Sequence, residues 1–191
     1  QKGPPSTSFR IKTFTTMTKG KNVVCEIGAS SIKVGFAGSL TPERVIPSVI
    51  GVPRNHYSNG KVEKPLLGND ALKVRDRKKI AFQYPMDETG AVQDWNCLES
   101  LVRYALGEIG VNECSKHKIL ITKPYIMKRA DLKRLFDLFF IKFGFRAVTM
   151  HEQAALVLYT QGVDTGIVVE LGDSMANSVP VFTASFSLIS R

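Results

Sequence analysis

Two stretches, VVCEIGASS at residues 23–31 and IVVELGDSMA at residues 167–176, share one pattern and decide the fold. Each has an apolar run, then a glutamate, an apolar residue, a glycine and small residues. The pattern predicts a buried strand that ends in a tight turn, hence a β-hairpin in both places. A carboxylate before a glycine turn often faces a phosphate or a metal. Ile27 and Leu171, however, stand where a phosphate would need hydrogen-bond donors.

Between the two hairpins, apolar residues recur at helical spacing and at strand spacing in alternation. The predicted helices and strands are residues 95–109, 118–122, 128–143, 147–150 and 152–161. Asp94 is the expected N-cap of the first helix, and Gly144 is the expected end of the second. The order of hairpin, strands with intervening helices and second hairpin predicts an α/β fold, a mixed sheet with helices packed on it.

Three shorter segments carry weaker signals. Residues 45–49 are predicted as a further strand, bounded by prolines, and residues 69–79 as a short charged helix. Residues 55–64 are polar and contain the turn signal Asn59-Gly60, which predicts an exposed, mobile loop.

The composition excludes several classes of protein. No run of about 20 apolar residues exists that could form a membrane helix. The three cysteines and three histidines are scattered, which predicts neither a disulfide framework nor a zinc site. The net charge of +9 favours anionic neighbours or a basic assembly. The cations of residues 128–134 are interpreted as a solvated face, so a nucleic-acid partner is not expected.

Residues 1–22 form a basic segment with five cations and no acid, followed by residues 23–191 as the folded domain. This arm is predicted to be disordered or extended. Its composition also resembles the neighbourhood of an organelle transit peptide. We therefore expect a mitochondrial location, with the cytoplasm, the cytoskeleton or a cilium as alternatives, and possible contact of the arm with anionic lipid.

The segment EIGASSIKVGFAG and the motifs that follow it resemble the actin and actin-related protein family. The shared motifs are GFAG at residues 35–38, Pro47-Ser48, Pro53-Arg54, Tyr84-Pro85-Met86, Asp94-Trp95, ILITKP at residues 119–124, EQAALVLYTQG at residues 152–162 and GIVVELGD at residues 166–173. The resemblance implies an actin-like, ribonuclease-H-like fold with a subdomain-2-like insertion at about residues 50–85. It also implies that the sequence holds only the first lobe of a two-lobed clamshell.

In that family, two hairpins hold the phosphates of ATP together with a divalent cation. By resemblance, Glu26 and Glu170 take the places of two aspartates, and Gln153 that of a glutamine which orders water. Lys33 takes the place of the lysine that reaches the phosphates. The remaining positions of the implied phosphate and magnesium site are Gly28, Ser30, Gly172 and Asp173. No catalytic residue and no metal ligand is assigned to this chain.

Eight positions that depart from the family pattern predict that this site is vestigial. Both aspartates are replaced by the longer glutamate, Ile27 and Leu171 are apolar, and serines replace hairpin glycines at Ser30 and Ser174. Further changes are Ala176 for a hydroxyl-bearing residue and Asn177 for a histidine. Glu26 and Glu170 are interpreted as solvated or paired with Lys33 rather than as an acid–base pair.

The expected function is therefore that of a non-catalytic, actin-like scaffold subunit in a larger assembly, with no cofactor. Its expected partners are other protein subunits, which would cover the face left by the absent second lobe. The alternative is a cytoskeletal actin-related protein, a slow ATPase that binds ATP or ADP with magnesium and whose second lobe lies outside this sequence. A third hypothesis is a basic adaptor that binds anionic lipid or nucleic acid through the arm and residues 128–134.

Overall fold

The computed structural model describes residues 20–54, 57–58, 61–182 and 189–190. The strands are β1 (Asn22–Ile27), β2 (Ser31–Phe36), β3 (Arg44–Pro47), β4 (Ile50–Pro53), β5 (Tyr57–Ser58), β6 (Lys61–Val62), β7 (Leu66–Leu67), β8 (Ile80–Gln83), β9 (Lys118–Lys123), β10 (Ala147–Glu152), β11 (Gly166–Leu171), β12 (Ala176–Val181) and β13 (Ile189–Ser190). The helices are α1 (Asn69–Leu72), α2 (Trp95–Glu108), α3 (Arg129–Asp137) and α4 (Gln153–Thr160).

The main sheet is mixed, with the strand order β13-β10-β9-β1-β2-β3. Strand β1 lies near its centre, antiparallel to β2 and parallel to β9. Cys25 marks the register, since it lies opposite Val34 on one side and Ile121 on the other. Helices α2 and α3 contribute to the same hydrophobic core as these strands. The predicted α/β fold, a mixed sheet flanked by helices, is confirmed.

Helix α2 begins where its cap predicts. The Asp94 carboxylate accepts hydrogen bonds from the backbone N–H groups of Asn96 and Cys97 at 3.0 and 2.9 Å. These two bonds satisfy donors that the first helical turn leaves free. Leu98 and Leu101 are fully buried on the face that the spacing predicted.

The helix predicted over residues 128–143 is not α-helical throughout. Helix α3 ends at Asp137 and continues as a π-helical turn over Leu138–Lys142. The wider turn is closed by the N–H of Phe143, which donates to the carbonyl of Leu138 at 2.9 Å. It brings both Leu138 and Phe139 into the core.

Two other predictions need correction. The helix expected over residues 69–79 is limited to α1 and a 3₁₀ turn at Arg77–Lys79. Only Ala71 of α1 is buried, and a helix without a buried stripe has little to extend it. The strand expected at residues 45–49 ends at Pro47, because Ser48 turns away to bond another segment.

A second, three-stranded sheet, β7-β4-β8, lies within residues 50–85. Strands β5 and β6 pair with each other, Tyr57 opposite Val62. The predicted turn at Asn59-Gly60 lies outside the described residues, as do residues 1–19 of the predicted arm. No helix in the described part of the chain has the length and hydropathy to cross a bilayer.

The second predicted hairpin is formed by β11 and β12, which pair with each other apart from the main sheet. One face of this hairpin packs on α4. A small core of Ala154, Leu158, Val168 and Val179 holds the two together. This packing places the end of β11 opposite the end of β1, across a cavity.

Candidate functional site

The turns of the two hairpins have the same internal hydrogen bond. The N–H of Gly28 donates to the carbonyl of Ser31 at 3.0 Å, and the N–H of Gly172 donates to the carbonyl of Met175 at 2.8 Å. A Cβ at Gly28 would lie 2.9 Å from the Ser31 oxygen, and one at Gly172 would lie 3.1 Å from the Met175 oxygen. The first turn therefore has no room for a side chain at Gly28, and the second would have to shift slightly to admit one at Gly172.

Ser48 holds the first turn from a neighbouring segment. Its hydroxyl donates to the carbonyl of Gly28 at 2.8 Å, and its N–H donates to the carbonyl of Ser30 at 2.9 Å. The side chain is buried, with 1% of the residue's surface exposed. Sequence reasoning gave Ser48 no role in the site, although the Pro47-Ser48 pair was among the motifs of the resemblance.

The two turns face each other across a cavity of about 440 Å³. Its wall contains the predicted site residues Glu26, Gly28, Ser30, Lys33, Gln153, Glu170, Gly172 and Asp173. The structure thus brings together residues from β1, β2, α4 and both turns. Sequence reasoning gave no role in the site to the methionines in the wall, Met86, Met127 and Met175, although Met86 belongs to a motif of the resemblance and Met175 to the second opening stretch.

Lys33 is held by Glu26 inside this cavity. Its ammonium group donates to both carboxylate oxygens of Glu26, at 3.0 and 3.1 Å. The two residues lie opposite each other in the β1–β2 ladder, so their side chains share a face. The interpretation that Glu26 pairs with Lys33 is confirmed.

Glu170 has a different environment. Its Oε1 atom is shielded from solvent and has no hydrogen-bond partner among the described residues. Burial, and secondly the negative charge of Glu26, raise the pKa of the Glu170 carboxyl. The environment therefore favours the protonated, neutral form.

Gln153 begins α4 and lies in the cavity wall. Its side-chain amide donates to the hydroxyl of Thr122 at 3.3 Å. Next to it, the Lys123 ammonium bonds the Glu152 carboxylate at 2.9 Å and joins β9 to the start of α4. Gln153 is thereby fixed at the edge of the sheet, with its side chain bonded to the protein.

The apolar residues that follow the two glutamates differ in burial. Ile27 belongs to the hydrophobic core, with 7% of its surface exposed, whereas Leu171 is 82% exposed. Ile27 thus has a packing role that explains an apolar residue at this position. Leu171 has none within the described residues.

The charged residues in the cavity wall are mostly acidic. Of the charged residues in the wall, Glu26, Glu170 and Asp173 are acidic and only Lys33 is basic. Both oxygens of Glu26 accept from Lys33, in an ion pair that is partly exposed to solvent. A phosphate that contacts Lys33 would displace the Glu26 carboxylate from its ammonium group, and a divalent cation bound with the phosphate would meet the acidic residues.

The described residues offer no cluster of three or more His, Cys, Asp or Glu that could hold a metal ion. They also offer no activated thiol. Burial raises the pKa of the Cys25 thiol to about 12 and that of Cys97 to about 11, so both remain protonated.

The hairpins, the cavity and the sheet are those of an actin-like domain, and the chain belongs to the actin family. The family model described as Actin matches residues 17–186.

Among curated proteins, the chain is similar to actin-related protein 2 of three organisms. It is 34% identical to the Acanthamoeba castellanii protein over 175 residues, which are 88% of this chain and 43% of that protein. For Drosophila melanogaster the identity is 33%, over 86% of this chain and 43% of the relative. For Arabidopsis thaliana the identity is 34%, over 83% of this chain and 41% of the relative. The chain thus spans less than half the length of these relatives.

Proposed function

We propose that this actin-like chain acts as a non-catalytic scaffold subunit whose nucleotide site is degenerate. The observation that carries the proposal is the ion pair in which Lys33 donates to both oxygens of Glu26. A lysine that serves a phosphate must have its ammonium group free for the anion. Here the ammonium group of Lys33 contacts the Glu26 carboxylate of the same chain instead.

Glu170 supports the same proposal. Burial and the charge of Glu26 already disfavour the charged form of the Glu170 carboxyl. A further anion nearby would disfavour that form more. The acidic excess in the cavity wall would repel a triphosphate that carried no divalent cation.

A scaffold needs surfaces that other subunits cover, and the outer face of the β11–β12 hairpin has that character. This outer face consists of Ile167, Val169, Leu171, Ala176, Ser178 and Pro180, and all six are exposed. It has no charged side chain, whereas the opposite face packs on α4. We propose that other protein subunits of an assembly bury it.

A nucleotide-binding actin-related protein is the second candidate, and the two turns favour it. Gly28 and Gly172 keep the same close hydrogen-bonded geometry, and both line one cavity with Gln153. Backbone amides at such turns are suited to binding phosphate oxygens. This candidate predicts binding of ATP or ADP together with magnesium.

Calorimetry separates the two candidates. The scaffold proposal predicts no saturable heat when the 191-residue chain is titrated with Mg-ATP, while an actin titrated alongside gives the positive control. Saturable heat that Lys33→Ala abolishes and Lys73→Ala preserves would establish the nucleotide-binding candidate. Lys73 is a suitable control because it is exposed and pairs with Asp70, away from the cavity.

The location and the lipid contact remain predictions. We propose a mitochondrial location, with the cytoskeleton or a cilium as alternatives, from the basic, acid-free composition of residues 1–22. Fusion of this segment to a fluorescent protein tests it, since import into mitochondria is the expected result. Binding of the segment to anionic vesicles should weaken as salt is added.

A further inference from the structure

A groove distinct from the cavity lies between the start of α2 and the end of α3. It has a volume of about 280 Å³ and its apolar side chains are Trp95, Leu138 and Ile141. Leu138 is buried, whereas Ile141 is 65% exposed. An exposed aliphatic side chain at the edge of a concave apolar surface is typical of a docking groove.

The groove is formed by the π-helical turn at Leu138–Lys142. Turns of this kind are rare and occur frequently at functional sites. In this chain the turn buries Phe139 while leaving Ile141 in the groove. The sequence pattern of α3 alone would have continued the α-helix.

The acidic groups in the groove are already neutralised. Glu99 pairs with Arg103 and with Lys142. Asp137 pairs with Lys133 at 2.5 Å. Neither carboxylate is therefore free to attract a cationic partner.

The groove lining itself has two acidic residues, Glu99 and Asp137, and two basic ones, Arg134 and Lys142, and the basic excess lies in the surrounding segment. From Lys128 to Arg146 the chain has six basic residues, all exposed, and two acidic ones, which gives a local charge of +4. Arg134 lies over the Trp95 ring, with its guanidinium carbon 4.6 Å from the ring centroid. No described carboxylate forms an ion pair with Arg134, so its charge is available at the rim of the groove.

We infer that this groove, here named the α2–α3 groove, docks an acidic amphipathic helix of a partner protein. Two apolar side chains one turn apart on such a helix would contact Ile141 and Trp95, and its carboxylates would meet Arg134 and neighbouring cations. A concave groove of this size suits an inserted side chain better than a flat lipid surface. The inference holds whether or not the cavity between the hairpins binds a nucleotide.

Trp95 allows a direct test, because it is the only tryptophan of the chain. The probe is a synthetic helical peptide with leucines at i, i+3, i+4 and i+7 and glutamates on the remaining face. The expected result is a saturable blue shift of Trp95 emission that weakens as salt is added. A peptide of the same composition in scrambled order should leave the emission unchanged.

Two variants and a matched control define the surface. Ile141→Ser and Arg134→Glu should each weaken peptide binding at least tenfold, measured as the midpoint of the titration. Val163→Ser, which alters an exposed aliphatic residue outside the groove, should leave the midpoint unchanged. Ile141 is exposed, so its replacement should not unfold the chain, and circular dichroism checks this.

Three results would overturn the inference. The first is equal binding of the acidic helix and of its scrambled counterpart. The second is an unchanged midpoint in Ile141→Ser. The third is a stronger response of Trp95 to phosphatidylserine vesicles or to polyuridine RNA than to the acidic helix.

Discussion

Glu26 and Glu170 occupy equivalent positions at the ends of β1 and β11, but their neighbours give them opposite properties. Glu26 is neutralised by the Lys33 ammonium, which contacts both of its oxygens. Glu170 has a shielded oxygen and a raised pKa, caused first by burial and then by the charge of Glu26. Glu26 is thus part of an ion pair in one hairpin, whereas Glu170 is a group with a raised pKa in the other.

The pH dependence of the free energy of unfolding should reflect the raised pKa of the Glu170 carboxyl. Its pKa is raised on folding, so its contribution to stability is present below the pKa of the unfolded chain. That contribution is lost as the pH rises through the folded pKa. Glu170→Gln keeps the neutral shape and should be more stable than the parent at pH 7. The difference in the free energy of unfolding between the variant and the parent should shrink as the pH falls. The ratio of their unfolding constants should change by at most about tenfold per pH unit.

Urea unfolding between pH 4 and pH 8 measures this difference. Glu88→Gln is the matched control, because Glu88 is exposed and does not line the cavity. If Glu170→Gln showed the same pH profile as the parent chain, the assigned environment of Glu170 would be wrong.

At the scale of the element, each turn depends on one close backbone contact. Gly28→Ala would place a Cβ 2.9 Å from the Ser31 carbonyl oxygen, and backbone atoms cannot yield as a flexible side chain would. We expect a loss of about 1–3 kcal/mol in the free energy of unfolding. Thermal or urea denaturation measures it.

Gly107→Ala is the control for this prediction. Gly107 lies in α2, is exposed, and has nothing within 4 Å of the position of an added Cβ. Alanine should therefore stabilise the helix by roughly 0.5–1 kcal/mol. A Gly28→Ala variant that behaved like Gly107→Ala would contradict the close contact in the turn.

Local patterns predicted the elements, whereas long-range contacts set the details of the site. The Asp94 cap and the spacing of Leu98 and Leu101 predicted α2, because both act within a few residues. The π-helical turn could not be predicted, since it depends on how Phe139 packs against the sheet. The bond from Ser48 to Gly28 joins residues 20 positions apart, and no local pattern specifies it.

The Glu26–Lys33 pair was foreseeable, because the two residues face each other in a hairpin whose register the turn fixes. The shielded oxygen of Glu170 was not. Its shielding depends on how the β11–β12 hairpin packs on α4 and approaches β1, which only the assembled fold determines.

At the scale of the whole molecule, the outer face of the β11–β12 hairpin is an apolar surface without charge. Strands with apolar residues on both faces are typical of sheets that are covered on both sides. Within the described residues, only the face toward α4 is covered. The exposed Ile167, Val169 and Leu171 therefore favour association with another protein surface.

Charging this face should reduce self-association of the chain. The double variant Val169→Lys with Leu171→Lys should sediment as a smaller species than the parent at the same concentration, with an unchanged circular dichroism spectrum. Val163→Lys, an exposed aliphatic position outside the outer face, is the control and should behave like the parent. If all three sedimented alike, the outer face would not mediate self-association of the chain.

The central proposal is that the cavity between the two hairpins, with its Lys33–Glu26 ion pair and the Glu170 carboxyl, does not bind a nucleotide. The amide signals of Gly28 and Gly172 report on this directly, since each belongs to the hydrogen bond that closes its turn. In ¹⁵N–¹H spectra recorded with increasing Mg-ATP, both signals should stay in place up to millimolar concentration. A saturable shift of both glycine signals, reversed by removal of magnesium, would contradict the account.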